Sequence, residues 1–279
     1  METPGQSDDL SLNPSHVRPI LTGFICDIVR SSGFERVVLG LSGGIDSTLA
    51  ATLAVEALGA ESVLGLLMPY RTSSAASRSD AESVVTALGI RSRLVDISPV
   101  VDAYAQAEGV SDRVRTGNIM ARLRMIVLYD YSAKERALVM GTSNKTETLL
   151  GYGTLYGDMA CAFNPLGDLY KTQVWQLASA IGVSPAIIAK QPSADLWQGQ
   201  TDEGEMGLTY REVDRLLFAA IDQRRSDDEL RAMGFEGSFI AKVRELVRRS
   251  QFKRRPPPVA KISGRTVNVD FRYARDWGL

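Results

Sequence analysis

One stretch of the chain holds residue types that could do chemistry together: VVLGLSGGIDST, Val37 to Thr48. An apolar run stops at Ser42-Gly43-Gly44, and Asp46-Ser47-Thr48 follows at the mouth of a new helix. Two glycines let a backbone come close to a ligand and turn its N–H groups inward as an anion nest. Ser42, Ser47 and Thr48 add hydroxyl donors, so the stretch reads as a phosphate cradle. A carboxylate inside such a cradle repels phosphate unless a divalent cation lies between them, which makes Asp46 a candidate metal ligand. The plainer alternative is a tight strand-to-helix turn with Asp46 as a helix-start acid. The chain has no Gly-Lys-Ser or Gly-Lys-Thr, so this is not a Walker A loop. Nor is it G-x-G-x-x-G; GYGTLYG (Gly151–Gly157) misses that spacing by one residue.

Imidazole chemistry is not expected. The single histidine, His16, lies in a polar, proline-punctuated leader, where chains are usually poorly ordered. Ser-His-Asp or Cys-His catalysis and His-rich zinc sites are thereby disfavoured. Cys26 and Cys161 are too few for a disulfide framework and suit a reducing cytosol, so a cytoplasmic protein is expected. A formal net charge of -1 gives no general attraction to nucleic acid or an anionic membrane. No apolar run approaches the roughly 20 residues that span a bilayer, and the polar start is no signal peptide. With 279 residues, 44% hydrophobic and 23% charged, the chain can bury a full core.

The cradle needs a scaffold that presents a strand end and a helix start. A helix is expected over Val17–Arg30, and strands over Arg36–Ser42, Ser62–Tyr70, Ser92–Ser98 and Ala137–Ser143. Helices should fill residues 47–59, 77–89 and Ile119–Lys134. This alternation implies an α/β fold: a doubly wound parallel sheet flanked by helices. From Lys171 onward the pattern turns helical, giving a helical C-terminal part. Gln191–Gly207, polar and glycine-rich, reads as a loop long enough to be a lid, with Trp197 as its one large aromatic.

SGGIDS resembles the pyrophosphate-releasing loop of the N-type ATP pyrophosphatases, which cradles the β- and γ-phosphates of ATP. Five further segments are similar to NAD synthetases: GNIMARLRM (Gly117–Met125), GTSNKTETLLGYGTLYGD (Gly141–Asp158), DLYKTQVW (Asp168–Trp175), PSADLWQGQTDEGEMGLTY (Pro192–Tyr210) and KRRPPP (Lys253–Pro258). The resemblance runs from about Val17 to Pro258. It implies an adenine nucleotide alpha hydrolase-like fold, with residues 1–16 as a flexible leader, 17–258 as the synthetase domain and 259–279 as a C-terminal tail. It also implies a homodimer and a ligase reaction in which deamido-NAD (nicotinic acid adenine dinucleotide), ATP and ammonia give NAD, AMP and pyrophosphate. Adenylation suits a chain poor in imidazole, because it turns a carboxylate oxygen into a good leaving group by positioning and electrostatics.

Roles follow from the resemblance, residue by residue. Gly40, Leu41, Ser42, Gly43, Gly44, Ile45, Asp46 and Ser47 would bind ATP with Thr142, Lys171 and Ser193. Asp46 and Glu147 would hold magnesium, and these two with Lys171 and Asp158 would form the catalytic set. Asn118, Arg122, Asp158, Phe252 and Lys253 would bind the dinucleotide, with Asp158 at its nicotinate and ammonia end. Taken alone, Glu147 could be a solvated helix-start acid, Arg124 a solvated neighbour of Arg122, and Lys253-Arg254-Arg255 a basic surface patch. Leu155, Ala162 and Phe252 stand where short ammonia-using enzymes have lysine, aspartate and histidine. GYGTLYGDMACAFNP is closer to the synthetase half of glutamine-dependent enzymes, which leaves a separate glutaminase partner as an alternative nitrogen supply. The competing readings are another ligase of the same loop class and a non-catalytic ATP-sensing module. A tRNA-thiolating enzyme would want a cysteine pair or a basic RNA face. A sensing module would not need Glu147 and Lys171.

Overall fold

The computed structural model describes residues 10–197 and 199–267. Four parallel strands form the sheet: β1 (Arg36–Gly40), β2 (Val63–Leu67), β3 (Arg91–Leu94) and β4 (Ala137–Val139), in the order β3-β2-β1-β4. Val37 pairs with Val63 on one side and Leu138 on the other. Alternation along each strand divides the core. Val37, Leu39, Val63 and Leu67 face one hydrophobic layer, and Val38, Leu64, Leu66 and Val139 face the other.

Helices cover both faces, as the doubly wound expectation requires. On the first lie α1 (Pro14–Ser31), α2 (Ile45–Leu58), α3 (Ala75–Leu88) and α7 (Lys171–Ala180). On the second lie α4 (Ser98–Ala107) and α5 (Arg113–Glu135). Short α6 (Lys145–Leu150) leads away from β4, and α8 (Pro185–Ile188) precedes the loop at Gln191. Beyond it, α9 (Asp202–Met206), α10 (Tyr210–Leu217), α11 (Asp227–Ala232) and α12 (Gly237–Arg249) enclose a third cluster built on Leu150, Tyr170, Val213, Leu216 and Ile240.

Several boundaries differ from expectation. α1 begins at Pro14, where Asn13 caps it by accepting from Ser15 N (3.1 Å), so the boundary expected at Val17 falls inside a helix. Leu10 is buried and His16 sits exposed in the first turn of α1. Residues 1–9 of the expected leader and 268–279 of the expected tail lie outside the described residues. β3 is shorter than expected and exposed along its length, because it is an edge strand carrying Arg91 and Arg93. α4 is a helix the sequence reading did not place. Part of the expected loop is α9, capped by Thr201, whose hydroxyl accepts from Gly204 N (3.2 Å).

The strand order matters for function. From β1 the chain moves through β2 to β3, and α5 then returns it to β4 on the opposite side of β1. The helix that leaves β1 (α2) and the helix that leads into β4 (α5) cover opposite faces of the sheet, which opens a crevice past the carboxyl ends of β1 and β4, where open α/β sheets bind ligands.

Candidate functional site

A cavity of about 320 Å³ occupies that crevice. Gly40, Leu41, Ser42, Gly44, Ile45 and Asp46 line it from the β1–α2 turn, joined by Ser47. Gly43 does not line it and has a different task. Its φ is +74°, and a Cβ there would collide with the Ser77 carbonyl oxygen and lie 2.9 Å from Asp80 Cβ. Gly43 therefore lets α3 approach the turn. Gly44 N donates to Ser42 Oγ (3.2 Å), and the Ser47 and Thr48 hydroxyls donate to Gly44 O (3.1 and 2.8 Å). The tight turn and the cavity lining are one object: hydroxyls brace the loop that faces the cavity.

Past that loop lies an ion centre. Lys171, at the start of α7 and 2% exposed, pairs with Asp46 and lies 3.5 Å from Glu147. Asp46 also accepts from Asn144 Nδ2 (3.0 Å). Asn144 and Glu147 form a capping box at α6: Glu147 N donates to Asn144 Oδ1 (2.9 Å) and Asn144 N to a Glu147 oxygen (3.3 Å). Glu147 is thus a helix-start acid, but its side chain is only 17% exposed. Burial, and next the Asp46 charge, push its pKa up to about 8, against the pull of Lys171. Burial opposes the Lys171 ammonium, but Asp46 and Glu147 outweigh it and hold its pKa above the ordinary lysine value.

Two carboxyl groups face one ammonium, and the raised Glu147 pKa marks that shortage of positive charge. Among the described residues, no group of three His, Cys, Asp or Glu is arranged to hold a metal. An all-oxygen pair beside a phosphate cradle instead suits a hard cation that takes most of its ligands from water and substrate phosphate. The residues present fit magnesium on those terms.

Of the other expected ATP residues, Thr142 and Ser193 line the same cavity. The expected dinucleotide residues divide. Asp158 faces the cavity and accepts from Thr154 N (2.6 Å), and enclosing walls that withhold bulk solvent raise its carboxyl pKa. Asn118 accepts from the Thr154 hydroxyl (2.7 Å), and Lys253 donates to the carbonyls of Gly151 and Gly153 (2.8 and 2.7 Å). Arg122 is exposed, donates to Leu155 O (3.3 Å) and does not line the cavity. Phe252 is 61% exposed. Arg124, expected as a solvated neighbour of Arg122, instead lines the cavity, with Nε donating to Met68 O (3.1 Å). Burial lowers the Arg124 pKa, and Asp195 and Asp158 oppose that shift.

The segment after Gln191 closes one side. Asp195 accepts from Ser74 N (3.2 and 3.3 Å), Leu196 O accepts from Thr72 Oγ1 (3.2 Å), and Leu196 packs on Gly117 of α5. Asp202 is buried and lines the cavity. Sequence reasoning gave no site role to Asn144, Asp202, Tyr152 or Tyr210. Only Asn144 had a readable signal, the capping-box spacing Asn144-Lys145-Thr146-Glu147.

The NAD synthase family model matches residues 19–257. The NH(3)-dependent NAD(+) synthetase of Trichlorobacter lovleyi is 55% identical over 96% of this chain and 98% of its own length. Among solved structures, the NH3-dependent NAD synthetase of Campylobacter jejuni superposes with a TM-score of 0.77 at 36% identity, covering 90% of this chain and 100% of the other. The NMN synthetase of Francisella tularensis superposes with a TM-score of 0.79 at 33% identity, covering 90% and 99%. A family model that matches almost the whole chain, and relatives alike over almost their full length, place it plainly: the chain belongs to the NAD synthase family.

Proposed function

We propose that the chain joins ammonia to nicotinic acid adenine dinucleotide through an acyl-adenylate, converting ATP to AMP and pyrophosphate and yielding NAD. The observation that carries this reading is the single cavity wall shared by the Ser42–Ser47 turn, Thr142, Glu147, Lys171 and Asp158. The relative named NH(3)-dependent supports free ammonia over a glutaminase partner, despite Leu155, Ala162 and Phe252.

The turn's N–H groups and the Lys171 ammonium hold the triphosphate and stabilise charge as pyrophosphate departs. Asp46 and Glu147 would hold magnesium, which when bound neutralises phosphate charge and keeps the α-phosphorus open to the substrate carboxylate. Asp158 faces the end of the cavity where ammonia meets the activated carbonyl, and its raised pKa suits it to take a proton from the attacking nitrogen. Ser193, brought by the segment after Gln191, helps keep water away from an adenylate it would hydrolyse. Arg122, Asn118, Phe252 and Lys253 engage the dinucleotide.

The working unit is a homodimer formed in the cytoplasm. Its support is a set of exposed apolar side chains on α4 and α5: Val100, Tyr104, Val114 and Ile126 are between 54% and 63% exposed. Two unbridged cysteines suit a reducing compartment. Among the described residues no helix is long and apolar enough to cross a membrane. Residues 17–258, with the start of α1 and the buried Leu10 that pack against them, act as one catalytic unit, and the C-terminal tail is proposed to lie outside it. A concentration-independent monomer mass in sedimentation refutes the dimer.

The decisive experiment mixes the chain with ATP, magnesium, ammonia and the deamido dinucleotide and follows pyrophosphate and NAD together. Because the Francisella neighbour is an NMN synthetase, the mononucleotide acid is run in parallel. Coupled release with the dinucleotide is expected. Faster turnover of the mononucleotide reassigns the substrate, and no pyrophosphate release with either refutes the ligase.

A further inference from the structure

Tyr210 touches both the segment over the cavity and the ion centre. It opens α10 and is fully buried. Its ring lies under Lys171, with Nζ 5.2 Å from the centroid. Its hydroxyl donates to Asp202 Oδ2 (3.0 Å), and its backbone N donates to Glu203 Oε1 (2.8 Å). The other Asp202 oxygen accepts from the Tyr152 hydroxyl (3.1 Å), and Asp202 N donates to Pro192 O (3.0 Å). A buried carboxylate and a buried phenol are costly unless paired, and here each answers the other.

We propose that Tyr210 and Asp202 are a positioning pair for Lys171, through which the segment over the cavity holds the ammonium on the Tyr210 ring and aimed at the phosphate cradle. The proposal deepens the ATP-side reading above and rests on it. Lys171 now leans on Asp46 and Glu147, the two carboxylates suited to a cation. With those two carboxylates engaged by a cation, a nearly inaccessible ammonium would lose both of its close counter-charges. What would remain is the ring beneath it, whose face attracts a desolvated cation, and the negative charge of Asp202 across the same cavity. Docking of the segment and orientation of Lys171 become one event, because Tyr210 is covalently outside the segment yet bonded to it by side chain and backbone.

The test compares Tyr210→Phe, Asp202→Asn and the double variant in the full-length chain. Tyr210→Phe keeps the ring and removes the bond; Asp202→Asn removes the charge. Each single variant is expected to lower kcat about 10-fold and raise the KM for ATP, leaving the KM for the dinucleotide within about twofold. The double variant should be no worse than the poorer single one, since both changes cut the same link. Asp202→Glu, which keeps the charge, should recover part of the lost kcat. Melting temperatures identify any variant that has merely failed to fold, in which case the remaining single variant and Asp202→Glu are judged by the same split. ATP affinity by calorimetry, with and without magnesium, separates this pair from the cation: a wild-type affinity indifferent to magnesium removes the cation, whereas the pair is judged on the variants' magnesium-free ATP affinity, expected to fall about fivefold. Losses that multiply in the double variant, or equal rises in both KM values, overturn the pair.

Discussion

The residues proposed for ATP and those proposed for the dinucleotide are built into the molecule differently. Of the first, Asp46, Glu147 and Lys171 are between 2% and 19% exposed and interlocked with Asn144. They come from α2, α6 and α7, far apart in sequence, and meet because the strand order puts β1 beside β4. Of the second, Arg122 and Phe252 stand in solvent, while Asn118 and Lys253 bind the chain's own groups. On the proposed roles, a single copy carries the phosphate centre already assembled, so handling of ATP would follow from buried geometry and choice of acid substrate from more exposed groups.

Breaking the preformed side should have the largest effect. Asp46→Asn removes the partner of Lys171 and a candidate magnesium ligand together, so steady-state turnover should fall by about 10²–10³-fold. Glu147→Gln should do nearly the same. Normal rates in both would remove the ion centre from the mechanism. The same centre gives a stability signature that the dinucleotide side should lack. Folding raises the Glu147 pKa from 4.5 to about 8, so the folded state holds that proton more tightly than the unfolded chain. Its contribution is complete below the unfolded value and is lost as pH rises through the folded one. Glu147→Gln is neutral throughout, so its melting temperature should gain on the wild type between about pH 5 and about pH 8.5. Parallel melting curves across that range would contradict the buried, repelled carboxylate.

The same division explains what could be read in advance. The apolar runs Val37–Leu39 and Val63–Leu67 declare buried parallel strands, and the Ser42–Ser47 turn follows from them. α4 went unplaced although Pro99 at its start and Val100, Val101 and Tyr104 carry a helical signal. The burial of Lys171 has no local signature. A lysine opening a helix usually reaches water, and this one is enclosed only because α2, α6 and α10 converge on it. Asp202 and Tyr210 were hidden for the same reason: their meaning lies in a contact between a polar loop and a buried ammonium. Arg122 and Arg124 could not be told apart by spacing, since both lie on one turn of α5 and the roll of that helix decides which enters the cavity.

Those two arginines sharpen the comparison at a smaller scale. Arg122→Ala should raise the dinucleotide KM about 10-fold while leaving that for ATP within about twofold. Arg124→Ala, inside the cavity, should raise both. Initial-rate kinetics with each substrate varied in turn decide it. Equal effects of Arg122→Ala on the two substrates would dissolve the boundary between the sides.

The smallest effect expected is spectroscopic, and it concerns the segment joining the two sides. Gln191–Gly207 carries Trp197, half-buried, between Leu196, which packs on Gly117, and the buried Gln200. Asp202 and Glu203 farther along are bonded to Tyr152 and Tyr210, whereas its first half, up to Leu196, is held by few and mostly polar contacts, Asp195 on Ser74 N and Leu196 O on Thr72. Such contacts compete with water, so this segment should open far more readily than the sheet beneath it. Bound ATP and dinucleotide would add contacts at Ser193 that exist only when it is closed, shifting the balance toward closure. Replacing Trp175 and Trp277 with Phe leaves Trp197 as the only tryptophan. Its emission should then shift to the blue by a few nanometres when both substrates bind, and protease cutting within the segment should slow. Gly117→Leu should blunt both responses, because the added side chain would meet Leu196, whose Cδ1 lies 2.9 Å from where even a Cβ would stand. If emission and cutting are unchanged at saturating substrate, the segment is an inert connection, and closure plays no part in binding.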